Sequence, residues 1–139
     1  LGADCAFFIK NKIMYVEGIG DQFTDIDLDL SKYHFVVVYP NIHVSTADAY
    51  KHVTPKKPSN NIREILANPI ETWKNELKND FENSVFKQHP KIEKAKQYLY
   101  DSGAIYASMS GSGSTVFGIF KNFPETDFES LGKNWNFRL

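Results

Sequence analysis

Ser110-Gly111-Ser112-Gly113-Ser114 stands between two apolar runs, and its residue types suit one kind of chemistry. With no Cβ at two of these positions, backbone N–H groups can close on an anion, a phosphate above all. The same residues also make a tight hairpin or packing turn, the better reading of the pentapeptide alone. It is not a nucleotide P-loop: the G-x-x-x-x-G-K-[ST] spacing is missing, no Lys follows, and the loop leads into a strand pattern rather than a helix. Asp4, between Gly2-Ala3 and the apolar run Cys5 to Ile9, places a carboxylate at the mouth of a water-excluding strand, a setting for a general base. Burial raises such a carboxyl and a neighbouring Lys lowers it; on residues alone a turn or capping aspartate is favoured.

Other candidates carry less. Tyr50 ends a short helical pattern near the change from strands to helices, where an exposed ring can stack on a base, with core packing the default. Lys51, Lys56 and Lys57 can meet a phosphate, but their loop composition is that of a solvated segment. Lys87, Lys91 and Lys94, with Glu93 beside them, read as a solvated helical surface. His34, His43, His52 and His89 match no metal-ligand spacing, and no metal is expected.

The elements that must position these residues are legible from period and punctuation. Residues 5–40 read as strands, CAFFI, KIMYVEG, QFTDIDL and HFVVVYP, with a hairpin tip at Lys10-Asn11-Lys12 and a glycine turn at Gly18 and Gly20. A short STADAY segment precedes KHVTPKKPSNN, whose prolines and asparagines make a loop. Helices follow: Asn61 caps one, Pro69 starts another with the stripe Ile70, Trp73 and Leu77, and a third runs from about Phe81 to His89. Pro90 opens a helix with Ile92, Ala95 and Leu99 on one face, stopping near Gly103. AIYASM and STVFGIF are strands, and the tail predicts a last helix and a short strand. This order indicates an α+β domain, a mostly antiparallel sheet with helices packed on one face.

Composition removes several classes. At 139 residues with 42% hydrophobic and 14% aromatic content, the chain is suited to one packed core rather than disorder. A formal charge of -1 gives no field for nucleic acid or anionic membrane, so neither is expected as a partner. No apolar run approaches membrane-spanning length and no signal peptide opens the chain. Cys5, the sole cysteine, fits a reducing cytoplasm. Leu1 rather than Met opens directly into an apolar stretch, which leads us to expect a fragment lacking its first part.

LGADCAFFI at 1–9, VEGIG at 16–20, NDFENSVF at 79–86 and MSGSGSTVFGIF at 109–120 together resemble the C-terminal part of the diphosphocytidyl-methylerythritol kinases. These belong to the galactokinase, homoserine kinase, mevalonate kinase and phosphomevalonate kinase superfamily. The resemblance spans nearly the whole chain in order. It implies a ferredoxin-like, substrate-side domain over residues 1–139, with 1–20 contributing to the edge of a missing N-terminal ATP-binding domain. The implied reaction moves the γ-phosphoryl of ATP to the 2-hydroxyl of 4-diphosphocytidyl-2-C-methyl-D-erythritol in non-mevalonate isoprenoid biosynthesis. Asp4 would be the catalytic carboxylate, Thr46 and Tyr50 the wall beside the cytosine, and Gly111, Ser112 and Gly113 a loop supporting the phosphate region.

The resemblance also implies what this chain lacks. The family usually has Pro two residues after the aspartate, where Ala6 stands here. The superfamily's ATP loop and its N-terminal lysine are not among these residues, so ATP and Mg²⁺ would be held mainly by the missing domain. No cofactor is expected on this chain, and the chain alone is expected to be inactive. An edge strand left unpaired in this way can join two copies into a homodimer. The competing reading is a non-catalytic ligand-binding or regulatory module of ferredoxin-like fold, with SGSGS a small-molecule loop and Asp4 a turn residue.

Overall fold

A computed structural model describes residues 8–9, 12–54 and 61–138. The main sheet has four antiparallel strands in the order β4-β5-β3-β6, formed by β3 (His34–Tyr39), β4 (Tyr106–Met109), β5 (Val116–Phe120) and β6 (Lys133–Arg138). A separate hairpin joins β1 (Met14–Glu17) to β2 (Gln22–Asp25), turning through Gly18 and Gly20, both at positive φ as the sequence leads one to expect.

Strand alternation divides the interior in two. Val36, Val38, Ala107, Met109, Val116 and Phe120 face one side and meet the two longest helices, α4 (Glu82–Gln88) through Val85 and α5 (Pro90–Asp101) through Ile92, Ala95 and Leu99. Ala49 of α1 (Thr46–Lys51) joins that cluster. The intervening residues Phe35, Tyr106, Phe117 and Ile119 face the other side, where α2 (Ile62–Ala67), a 3-10 turn at Ile70–Thr72 and α3 (Trp73–Glu76) supply Ile65, Ile70 and Trp73. The long helices thus share one face, as their apolar stripes require, and the short helical turns cover the second. Each fully buried aliphatic side chain such as Ile92 or Leu99 contributes about 1.5–3 kcal/mol.

The caps are those the sequence offers. Asn61 Oδ1 accepts from Arg63 N at 3.0 Å, Pro90 opens α5, and Gly103 (φ 98) follows its end. Arg63 reaches the hairpin, donating to Glu17 Oε2 at 3.2 Å and Thr24 Oγ1 at 3.3 Å.

Two expectations change. The strand expected at 5–9 is helical at Phe8 and Ile9, its two described residues. Both are exposed, 72% and 84%, whereas β-propensity is a preference for a half-buried pleated surface. Lys10 and Asn11 of the expected hairpin tip lie outside the described residues. The tail helix is a single 3-10 turn, Glu129–Leu131, before β6 pairs with β3 from His34↔Arg138 to Tyr39↔Lys133. Within 1–20, β1 pairs with β2 and not with the main sheet.

Candidate functional site

The glycine loop follows from the sharp reversal between β4 and β5. Ser110 N donates to Thr115 O at 2.8 Å and Gly113 N to Ser110 O at 3.0 Å, which closes the turn. Gly111 and Gly113 sit at φ 54 and 94, and a Cβ on Gly113 would stand 2.8 Å from Met109 Sδ. Glycine is therefore needed for conformation at both positions and for space at the second. The Gly113–Ser114 peptide is cis. Ser114 Oγ donates to Ile42 O, tying the end of the loop to the segment that leads into α1.

Helix α1 comes to the loop from β3. Ser45 caps it, accepting from Asp48 N at 3.4 Å, and Thr46 Oγ1 lies 3.3 Å from Ser112 Oγ. Tyr50, one turn further along the same helix face, is 63% exposed and meets Phe81 edge-on, ring centroids 4.9 Å apart. Lys51 is drawn to Asp48 Oδ1 at 2.9 Å, and this hydrogen bond, with its charge, holds the Asp48 carboxyl below its usual value. Lys56 and Lys57 lie outside the described residues, as does Asp4 with its neighbours Gly2, Ala3, Cys5 and Ala6.

Two residues not singled out individually from the sequence, Asn79 and Glu82, hold this region. Asn79 Nδ2 donates to Met109 O at 2.8 Å and to Gly111 O at 2.7 Å, while its Oδ1 accepts from Phe81 N at 2.9 Å. Glu82 is buried; its Oε1 accepts from Met109 N at 2.8 Å and Ser108 Oγ at 3.2 Å, and its Oε2 pairs with Lys96 Nζ at 2.6 Å. The open edge of β4 is thereby satisfied by a side chain. The signal in the sequence was the NDFE run itself, an amide and a buried acid three residues apart ahead of a helix.

The histidines do not converge. His34 meets Phe123 edge-on, His52 Nδ1 lies 2.9 Å from Asp48 O, and His43 and His89 both line a cleft of about 330 Å³ beside α1. Among the described residues no three His, Cys, Asp or Glu side chains gather as a metal site would need. A cleft of about 490 Å³ lies at the opposite ends of β3 and β5 from the loop, with the Glu71–Lys121 ion pair in its wall. No helix among the described residues is long and apolar enough to cross a membrane.

Thr46, Tyr50, Gly111, Ser112 and Gly113 thus come from segments far apart in sequence onto one surface: an exposed ring, two hydroxyls and a glycine turn. Such a surface can hold a flat ring at one end and an anion at the other.

Known kinases resemble this chain in sequence and in fold. The family model described as GHMP kinases C terminal matches residues 61–135. A 4-diphosphocytidyl-2-C-methyl-D-erythritol kinase of Bacteroides fragilis is 52% identical over 133 residues, which are 94% of this chain and 48% of that protein. One from Cytophaga hutchinsonii is 47% identical over 131 residues, again 94% and 48%. The crystal structure of a 4-(cytidine 5'-diphospho)-2C-methyl-D-erythritol kinase superposes with a TM-score of 0.71 at 26% identity, covering 85% of this chain and 44% of that one. A homoserine kinase from Cytophaga hutchinsonii has a TM-score of 0.59 at 15% identity over 84% of this chain and 44% of its own, a likeness of fold alone. The chain spans about half the length of the curated relatives it matches. With its four-stranded sheet, its glycine turn and this family match over more than half of its residues, the chain belongs to the C-terminal domain family of the GHMP kinases.

Proposed function

We propose that residues 1–139 form the substrate-side domain of a cytoplasmic kinase that phosphorylates 4-diphosphocytidyl-2-C-methyl-D-erythritol at its 2-hydroxyl, at the expense of ATP, in non-mevalonate isoprenoid biosynthesis. The observation that supports it is the meeting of α1 with the glycine turn, Thr46 Oγ1 3.3 Å from Ser112 Oγ, beside the exposed ring of Tyr50. On this reading Tyr50 stacks on the cytosine, Thr46 lines the same wall, and the Gly111–Gly113 turn supports the phosphate region. Asp4 orients the attacking hydroxyl and takes its proton as the new oxygen–phosphorus bond forms and ADP departs. The described residues gather no cluster of carboxylates and do not fit Mg²⁺, which on this reading would be held with ATP by the N-terminal domain of the full-length kinase and would neutralise charge on the phosphates there.

The test uses the full-length protein. Calorimetric titration with the cytidine-diphosphate substrate, wild type against Asp4→Asn, should show retained binding with turnover reduced by about a thousandfold or more, on the scale of removing a general base together with its positioning. Surviving turnover returns Asp4 to a turn role. Failure of the wild type to bind any cytidine ligand brings the regulatory-module reading forward.

A further inference from the structure

We propose that Asn79 is a positioning residue that locks the glycine turn and the ring of Tyr50 into one rigid unit, and so fixes the spacing between the two ends of the ligand surface. Its catalytic consequence rests on the proposed kinase reading; the clamp itself does not.

The contacts form a closed circuit. Tyr50 meets Phe81 through their rings at 4.9 Å, and Phe81 N donates to Asn79 Oδ1 at 2.9 Å. Asn79 Nδ2 donates to Met109 O and Gly111 O at 2.8 and 2.7 Å, and Ser112, next in the turn, lies 3.3 Å from Thr46 through their hydroxyls. Thr46 and Tyr50 are four residues apart on α1, one helical turn, so the path returns to its start. The Tyr50–Phe81 ring contact, the two bonds from Asn79 Nδ2 and the Thr46–Ser112 contact join separate segments, while the bond from Phe81 N lies within its own turn.

Asparagine suits the node for a chemical reason. A neutral amide presents two N–H donors and a carbonyl acceptor together, and all three directions are used here. Reversing the amide would aim its oxygen at two carbonyls and its NH₂ at an N–H, so the network admits one orientation. A turn with two glycines at positive φ has many conformations open to it, and the two bonds from Nδ2 select one. Aspartate in the same place keeps the acceptor for Phe81 N and loses both donors. Its ionised carboxylate faces the carbonyls of Met109 and Gly111, while its neutral form donates once.

The experiment compares full-length wild type, Asn79→Asp and Asn79→Ala by hydrogen exchange at residues 110–114, corrected for intrinsic rates, and by steady-state kinetics against pH. Exchange in the turn should rise about tenfold or more in both variants, the effect of losing one to two hydrogen bonds. In Asn79→Asp, exchange and kcat should recover toward wild type as pH falls, and in Asn79→Ala they should not. Both variants should raise KM and lower kcat together, whereas Tyr50→Ala should raise KM alone. Unchanged exchange, or no difference in pH response between the two variants, overturns the clamp. Loosened turns in the variants of a protein whose wild type does not turn over the cytidine substrate uphold the clamp and remove the substrate assignment instead. If neither variant folds, the wild type decides: its Asn79 side-chain NH₂ protons should exchange about tenfold more slowly than those of an exposed asparagine, and equal rates overturn the proposal.

Discussion

Single residues in this domain divide into those whose role is visible in their type and those whose role depends on neighbours. Gly113 belongs to the first kind. An added Cβ meets Met109 Sδ at 2.8 Å in a backbone at φ 94, so Gly113→Ala should cost about 2 kcal/mol. Gly111→Ala, with open space around it and φ 54, should cost about 1 kcal/mol; urea melts of the two variants check the ranking. Tyr106 is of the second kind. Burial between Trp73 and Phe117 pushes its phenol up to about 12, and its hydroxyl donates to Leu77 O at 3.2 Å. Below pH 10 folded and unfolded chains both keep the proton and stability is complete. From pH 10 to about 12 the unfolded chain gives it up first, so stability should fall by about 2–3 kcal/mol across that window and no further from this group above it. Denaturant titrations of wild type and Tyr106→Phe should show that alkaline loss only in the wild type.

At the scale of elements, one buried acid joins a helix to a strand edge. Glu82 in the first turn of α4 satisfies Met109 N and Ser108 Oγ of β4 and pairs with Lys96 of α5, so three elements share a single carboxylate. Glu82→Ala leaves a backbone N–H and a half-buried ammonium without their partner and should cost about 3 kcal/mol, measured as a lowered urea midpoint at constant m. Glu82→Gln keeps an acceptor for Met109 N and should cost less. Helix α5 was readable in advance because Ile92, Ala95 and Leu99 repeat at its period between Pro90 and Gly103. Phe8 and Ile9 are helical where a strand was expected, since aromatic and branched residues carry strand preference only through a half-buried pleated surface and both are exposed.

For the whole molecule, the share of its relatives that the chain spans sets the expectation. Phosphoryl transfer needs the triphosphate held and aligned, and the described residues offer a glycine turn without a P-loop lysine or a carboxylate cluster. Residues 1–139 alone should therefore give no ATP turnover above background with the cytidine-diphosphate substrate, while the full-length protein turns over; a phosphate-release assay on both compares them directly. By itself the sequence determined the α+β class, the positions of most helices and strands, and the glycine turn, because periodicity, caps and positive-φ residues act over a few neighbours. Its ordered blocks also carried the family, which the C-terminal GHMP match over residues 61–135 shows. Only the tertiary structure decided that β6 pairs with β3, that short helical turns cover the second face, and that Thr46 meets Ser112 while Asn79 and Glu82 grip β4 and its loop. Those contacts join residues tens of positions apart, where one-residue changes in register reverse which side chain faces which partner, and no local pattern encodes that choice.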